Sequence, residues 1–266
     1  DSHLVLVTGN GSITVGGPDA SGISATGNIL LSAQGAAGDI TLNAAVLSTA
    51  GNITLLAQGG IVQTADVGDI TVSAAGKSID LKAAAGISMG DGALTQSNNG
   101  NVRYEATAGT ITLGEISTGT AGTTTGQVAI IATAGSIVDL GTDTSAVDIT
   151  AAGLILTAGT AIGAGDNHLE SSVSSISTRS ANGGTFVTET DSVTVTALSL
   201  TVNRVSTSGA AASTSADTQE DLVSLGADSH LVLVTGNGAI TVGGGTDTGG
   251  ISAAGNILLS AQGAAG

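Results

Sequence analysis

The residue types of a hydrolytic triad stand side by side at the start of the sequence. Asp1, Ser2 and His3 read Asp-Ser-His, and the same letters return at Asp228–His230. A triad requires contacts from serine to histidine and from histidine to aspartate in space. Neighbours along a strand point to opposite faces of the sheet, so adjacent residues do not make those contacts. The motif therefore predicts no nucleophilic catalysis.

Aspartates in glycine-rich turns are the second kind of candidate site. Asp19 lies in GGPDASG, Asp91 in GDG and Asp166 in GAGDN. Ca²⁺ prefers carboxylate and carbonyl oxygens as ligands. None of these turns recurs with the nine-residue period of calcium-binding rolls. We therefore predict diffuse screening by cations and no specific metal site or cofactor, with these three aspartates as the calcium candidates if a site exists.

Sugar-active chemistry requires two carboxylates in a cleft, and aromatic platforms for the sugar rings are usual. The acidic residues are scattered along the sequence, and Tyr104 and Phe186 are the only aromatic side chains. His168 stands between Asp166 and Glu170 in a polar stretch, where a surface position is expected. We therefore predict that the chain is not an enzyme and keep a polysaccharide-active β-helix as an alternative.

The charge balance excludes several classes of partner. The chain has 21 acidic and 5 basic residues and a formal net charge of −16. A nucleic-acid partner would require a basic surface, so none is predicted. No apolar run approaches the roughly 18 residues of a membrane span, so no membrane insertion is predicted. The absence of cysteine excludes disulfides and thiolate metal sites.

A long internal repeat dominates the sequence. DSHLVLVTGNGSITV at the start returns as DSHLVLVTGNGAITV from Asp228, and ISATGNILLSAQGAAG returns as ISAAGNILLSAQGAAG. The offset is 228 − 1 = 227 residues. We interpret residues 1–227 as one complete tandem repeat and residues 228–266 as the start of the next, continuous with it. Near-identical tandem copies are typical of array architectures.

Short phrases within the repeat predict the fold. GNITLLA, GDITVSA and GTITLGE each begin with glycine and then alternate apolar and polar residues. Such alternation is typical of strands with one buried face, so Ile53 and Leu55 should point inward and Thr54 outward. Equivalent positions recur after 24 residues (Ile29 to Ile53) and after as many as 32 (Ile79 to Ile111). The pattern predicts an all-β, right-handed parallel β-helix (β-solenoid) with about nine coils per repeat and a rise of about 43 Å.

Two stretches interrupt the phrase. Residues 166–180 and 206–221 are rich in serine, threonine and alanine and poor in branched apolar residues. We predict loops or a decorated face at both stretches, with irregular coils of no special role as the alternative.

The phrases GNITLLA at Gly51, GDITVSAAGKSIDLKA at Gly68 and GTITLG at Gly109 resemble the coils of filamentous-haemagglutinin-like bacterial exoproteins. The resemblance covers residues 4–158, residues 183–205 and the second copy. It implies a parallel β-helix in a very large secreted adhesin or surface filament. The expected location is therefore extracellular, at the cell surface.

These observations lead to one functional interpretation and two alternatives. The chain is expected to be a structural repeat of an extracellular bacterial filament, sheath or adhesin stalk, with further copies of the repeat as its end-to-end partners and with lateral filament contacts. The first alternative is an adhesin that binds a ligand through the polar region 166–221. The second is the polysaccharide-active enzyme.

Overall fold

Residues 2–17, 21–141, 146–243 and 250–263 are described by the computed structural model, and within these ranges the chain forms strands and turns without a helix. In chain order the strands are β1 (Leu4–Thr8), β2 (Ile13–Val15), β3 (Ile23–Ala25), β4 (Ile29–Ala33), β5 (Ile40–Leu42), β6 (Val46–Ser48), β7 (Ile53–Ala57), β8 (Ile61–Gln63), β9 (Ile70–Ala75), β10 (Ile79–Ala83), β11 (Ile87–Met89), β12 (Leu94–Asn98), β13 (Val102–Ala106), β14 (Ile111–Leu113), β15 (Glu115–Ser117), β16 (Gln127–Ala132), β17 (Ile137–Asp139), β18 (Ile149–Ala158), β19 (Leu169–Ser180), β20 (Thr185–Glu189), β21 (Val193–Val195), β22 (Leu198–Val205), β23 (Ala211–Gln219), β24 (Leu222–Ser224), β25 (Leu231–Thr235), β26 (Ile240–Val242), β27 (Ile251–Ala253) and β28 (Ile257–Ala261).

The strands form a parallel β-solenoid of about nine turns, which fits the predicted right-handed parallel β-helix. Three walls run along its axis. Wall A contains β1, β4, β7, β10, β13, β16 and the second halves of β18 and β19. Wall B contains β2, β5, β8, β11, β14 and β17. Wall C contains β3, β6, β9, β12, β15 and the first halves of β18 and β19.

Equivalent residues stack in columns inside the walls. The first column of wall A contains only branched aliphatic residues: Leu4, Ile29, Ile53, Ile79, Val102, Val128, Leu154 and Ile176. The column four positions later holds alanine from Ala33 to Ala158, where the chain turns the corner. From Ile29 onward the first column is buried, so the columns form a continuous hydrophobic core.

The coils are more uniform than the sequence spacing suggested. Successive residues of the first wall A column are 22 to 26 positions apart, as between Leu154 and Ile176 or between Ile53 and Ile79. The 32-residue interval from Ile79 to Ile111 is not one coil, because Ile79 belongs to wall A and Ile111 to wall B. The same glycine-initiated phrase occurs in both walls, so the sequence alone could not show that the two isoleucines belong to different walls.

At the corner that precedes wall A, side chains form a ladder of hydrogen bonds from one coil to the next. The Asn28 Oδ1 atom accepts the Asn52 backbone N–H at 2.8 Å, and Asn52 Oδ1 accepts that of Ser78 at 2.9 Å. His3 occupies the same position, and its Nδ1 atom accepts the Asn28 N–H at 2.9 Å. His230 repeats this bond with Asn256 at 3.0 Å. The Asp-Ser-His motif therefore supplies a structural histidine at a corner.

Glycines that precede corner residues, such as Gly51 before Asn52 and Gly135 before Ser136, have a steric role. A Cβ on Gly51 would collide with the backbone of Gly27, one coil below, and a Cβ on Gly135 would collide with Gly109. The φ angles of these glycines are not positive. The glycines are thus required by the close approach of stacked backbones, and not by a left-handed backbone conformation.

A polar group inside the solenoid is fully hydrogen-bonded. The Tyr104 hydroxyl donates to Gln63 Oε1 at 2.6 Å and lies 2.6 Å from Thr95 Oγ1. The Gln63 amide donates to Gly68 O at 3.1 Å. All three side chains are buried, and burial raises the pKa of Tyr104 above its ordinary value. Because these three buried polar side chains are hydrogen-bonded, they are compatible with the apolar interior.

Over most of the two polar stretches the structure has strands where loops were one of the expectations. Leu169–Ser180 is the twelve-residue strand β19, which continues walls C and A, and Ala211–Gln219 is β23, which pairs antiparallel with β22. Serines in β19 satisfy their hydroxyls inside the structure: Ser180 Oγ lies 2.7 Å from Ser224 Oγ, and Ser177 Oγ donates to Asp221 O at 3.0 Å. Hydrogen-bonded serines therefore replace the expected aliphatic residues in this coil.

We expect Asn52→Ala to lower the free energy of unfolding by about 2 kcal/mol, because it removes the bond that the buried Asn52 Nδ2 donates to Asn28 Oδ1 and the bond that Asn52 Oδ1 accepts from the Ser78 N–H. Urea unfolding followed by circular dichroism measures the change. The matched control is Asn10→Ala at an exposed turn, for which a change below about 0.5 kcal/mol is expected. Equal effects of the two variants would show that the ladder does not stabilise the corner.

Candidate functional site

A β-hairpin covers the outer face of wall A. It consists of β22 and β23, and its strands cross the coils instead of running with them. The backbone N–H of Val205 donates to Thr54 Oγ1 at 2.9 Å, and that of Asn203 donates to Ser78 Oγ at 2.8 Å. Asn101 Nδ2 donates to Thr201 O at 2.8 Å. Three successive coils thus bind successive positions of one hairpin strand.

The two ends of the hairpin contact the second and the seventh coil of wall A. At its tip, Gly209 O accepts a hydrogen bond of 2.8 Å from Asn28 Nδ2 in the second coil of wall A. At its base, Gln219 Nε2 donates to Leu156 O at 3.1 Å. The hairpin therefore acts as a strap that ties the coils of one repeat together along the axis.

Apolar side chains seal the middle of this contact. Leu200 and Val202 of the hairpin pack on Ala129 and Ile155 of wall A in a cluster separate from the main core. All four are at most 2% exposed. Wall A therefore has a dry layer on its outer face as well as on its inner one, and Thr54, which points outward as predicted, is buried beneath the hairpin.

Charged residues lie under the hairpin beside this layer. Arg103 Nε is 2.6 Å from Asp217 Oδ2 on the hairpin, and its Nη1 is 2.7 Å from Glu105 Oε2. Arg204 Nε of the hairpin is 2.6 Å from Asp80 Oδ2, and the Asp80 side chain is fully buried. With Lys82, which contacts Glu105 at 2.9 Å, the cluster contains three of the five basic residues of the chain.

Burial and pairing act in opposite directions on these groups. Burial alone would lower the pKa of Arg103, but hydrogen bonds to Asp217 and Glu105 raise it above its ordinary value. Burial alone would raise the pKa of Glu105, but hydrogen bonds to Lys82 and Arg103 hold it below its usual range. Pairing prevails at both residues, so Arg103 and Glu105 remain ionised at neutral pH.

Sequence reasoning missed this docking site. Residues 183–205 showed clean strand alternation, but the partner strand lay in a stretch that we interpreted as a loop. One signal was present: Asp80, Arg103 and Glu105 stand at outward positions of wall A strands in a chain with few cations. Charges of both signs concentrated on one outer face predict a partner for that face.

A second cluster contains only acids. A cavity of about 160 Å³ is lined in part by Asp91, Glu115, Asp139 and Asp148. One oxygen from each of Asp139, Asp148 and Glu170 lies within 4.8 Å of the others. Asp148 Oδ2 accepts the Glu170 N–H at 2.9 Å, and Asp139 Oδ1 accepts that of Gly141 at 3.0 Å. The oxygens of this set are of the kind that binds a divalent cation.

The structure places the predicted calcium candidates in different positions. Asp91 lines the acidic cavity. Asp166 lines a neighbouring pocket with His168 and Glu170, and Asp19 lies outside the described residues. Asp139, Asp148 and Glu170 were not predicted, because only coil stacking brings these residues together from three places in the sequence.

His168 belongs to the neighbouring pocket. Its Nδ1 atom is 2.8 Å from Thr188 Oγ1, and its ring centroid is 5.9 Å from that of Phe186. Burial lowers the pKa of His168. The ring is therefore held by a hydrogen bond and a ring contact with the next coil, in β20.

Glu189 is a carboxyl group inside the solenoid. Its side chain is fully buried, accepts the Val173 N–H at 2.9 Å and lies 2.5 Å from Ser171 Oγ. Burial raises the pKa of Glu189 to about 7, although the hydrogen bonds oppose the change. Because the protonated form is favoured in the folded state, the stabilising contribution of Glu189 is complete below its unfolded pKa and is lost as pH rises through about 7.

We expect Arg103→Met to lower the free energy of unfolding by about 2 to 4 kcal/mol, because Asp217 and Glu105 lose a partly buried partner. Hairpin residues should also become sensitive to limited proteolysis, with cleavage sites read by mass spectrometry. Arg179→Met makes the same change at an exposed position and should have an effect below about 0.5 kcal/mol. An intact, protease-resistant hairpin in Arg103→Met would contradict its role as an anchor.

We expect Glu189→Gln to be more stable than the unmodified chain at pH 8, by about 3 kcal/mol, and to lose this advantage near pH 4. The amide keeps the shape of the side chain without a charge in the interior. Urea unfolding of both proteins across this pH range measures the difference. The control is Asp191→Asn at an exposed position, and a pH-independent difference for Glu189→Gln would contradict the assignment.

Among the residues that the structure describes, no helix has the length and hydrophobicity required to cross a membrane. Comparisons of the chain with family models, with curated proteins and with solved structures found no match. The resemblance to filamentous-haemagglutinin-like exoproteins therefore stays a prediction from the coil phrases, and functional conclusions depend on the solenoid and its surfaces.

Proposed function

We propose that this chain is a structural repeat of a giant extracellular bacterial filament, sheath or adhesin stalk, in which stacked coils build a stiff, non-catalytic rod. One observation carries the proposal: the second copy of the repeat stacks directly on the first. Strand β25, which opens the second copy, pairs in register with all five residues of β20, from Thr185↔Leu231 to Glu189↔Thr235. Backbone hydrogen bonding continues across the boundary without a cap.

The two copies also indicate what covers the open ends of the solenoid. Leu6 in β1 is 42% exposed, whereas its counterpart Leu233 is 1% exposed because β20 lies beneath it. Leu259 in β28 is 40% exposed, whereas its counterpart Leu31 is buried by β7. Each open edge thus matches an edge that a further coil covers elsewhere in the same chain. An array of repeats satisfies both edges, which would otherwise promote aggregation.

The surface of the solenoid is compatible with a long soluble rod. Outward positions of wall B hold small uncharged residues such as Thr14, Thr41, Ser88 and Thr112. The net charge of −16 provides repulsion between rods. Secretion and the cell-surface location belong to the same proposal and derive from the resemblance of the coil phrases.

The adhesin alternative receives less support than the rod. It required residues 166–221 to form a protruding surface. Instead β19 is part of the solenoid wall, and the hairpin lies flat on wall A. The stretch therefore contributes chiefly to stability.

The polysaccharide-active alternative has one observation in its favour, the approach of Asp139, Asp148 and Glu170. Asp148 and Glu170 are buried, with exposures of 6% and 7%. Tyr104, one of the two aromatic residues, lies in the core and offers no platform for a sugar ring. These positions favour a structural role for the cluster.

We expect a longer chain, in which residues 1–227 occur several times before residues 228–266, to form straight unbranched rods. The axial repeat should be about 40 Å, because slightly more than eight coils of about 4.8 Å separate β1 from β25. Electron microscopy measures the rod length per repeat, and fibre diffraction should show the 4.8 Å spacing along the axis. Separate beads joined by flexible segments would overturn the proposal.

A further inference from the structure

Equivalent strands of the two copies of the repeat lie at different positions around the solenoid axis. Leu4 begins the first column of wall A. Its counterpart Leu231 (231 − 227 = 4) pairs instead with Thr185, which continues the column of Ile137 and Ile162 in wall B. A repeat of 227 residues therefore does not contain a whole number of turns.

The local structure of the coil is nevertheless the same in both copies. Strand β28 stacks on β25 in the register in which β4 stacks on β1, with Leu231↔Ile257 matching Leu4↔Ile29. The corner bond from the histidine to the next coil also recurs, at His3 and at His230. The second copy thus rebuilds the same wall on a different side of the rod.

The insertion of the hairpin accounts for the displacement of the second copy around the axis, which we call the change of phase. It is inserted between β21 and β24, and both of these short strands lie on the part of β19 that belongs to wall A. Strand β26 then stacks on β21, and β27 stacks on β24. In the first copy the counterparts of β26 and β27 lie in walls B and C. The insertion therefore divides one wall into two, and the walls that follow are displaced around the axis.

The hairpin of a repeat docks on the wall that its own β1 begins. Its partners Thr54, Asp80 and Arg103 all stand in that wall. We propose that successive repeats are rotated about the rod axis, so that each repeat carries its hairpin on a different side from the hairpin of the repeat before it. This inference rests on the proposed tandem array.

The rotation determines what the rod offers to lateral partners. The outward hairpin residues Ser199, Thr201 and Thr218 are small, polar and uncharged. With rotation, this surface faces several directions along the rod, and a neighbouring rod of the same chain can contact it from more than one side. Without rotation, all hairpins would lie in one line and the rod would have one hairpin-bearing face.

The phase can be tested in the chain as it exists. The chain has no cysteine, so Thr188→Cys with Val234→Cys provides the only two thiols, on half-buried residues that are partners in β20 and β25. A short bismaleimide should link them within one chain, as shown by peptide mapping. The matched control pairs Thr188→Cys with Val7→Cys, because Val7 is the counterpart of Val234 in the first copy and should not be linked. Equal linkage of both pairs, or none of either, would overturn the observed phase.

The array itself is tested by electron cryo-microscopy of a chain with three copies of residues 1–227 before residues 228–266. The expected result is a continuous rod whose hairpin density turns around the axis from one repeat to the next. A continuous rod with all hairpins on one line would overturn this inference and leave the proposed function intact. The absence of a continuous rod would contradict the proposed function, and the cross-link would still report the phase within one chain.

Discussion

In-register stacking of parallel coils is the constraint on which the rest of the structure depends. The backbone groups of each strand bond to the coil above and the coil below, so no coil is complete alone. Coils must therefore repeat the same kind of residue at the same position. The aliphatic column of wall A, the alanines at its corner and the close approach of Gly27 and Gly51 are consequences of this spacing. The asparagine ladder serves the corners, where strand pairing ends.

Because the solenoid is thin, every wall has an outer face. These outer faces differ in the residues that they carry and in what covers them. Wall B exposes mainly threonine and serine, with Val62 among them. Wall A is covered by the hairpin, so residues that would be solvated on a bare solenoid become buried. Asp80 and Arg103 form ion pairs there with Arg204 and Asp217 of the hairpin. A buried ion pair between distant segments fixes where the hairpin docks as well as how strongly it is held.

The hairpin also links the stability of one repeat to the geometry of the array. It ties coils along the axis, and its insertion divides wall A between β21 and β24. Those two strands then position β26 and β27 of the following copy. An insertion that looked like a polar interruption in the sequence thus sets how consecutive repeats are related. The mechanical role that we propose for the rod depends on this continuity of pairing across residue 227.

The amino-acid sequence by itself determined the all-β class, the parallel solenoid, the approximate number of coils and the inward positions of residues such as Ile53 and Leu55. Period-two alternation and a regular coil length are local properties, so they can be read without knowledge of any contact. Only the tertiary structure decided that Ile79 and Ile111 belong to different walls and that most serines of β19 are buried. It also brought Asp139, Asp148 and Glu170 together and placed Asp91 and Asp166 in separate pockets. It also decided where the hairpin docks and how the second copy is rotated. These features depend on contacts between residues far apart in the sequence, and a short phrase that recurs in every wall carries no information about which wall it will join.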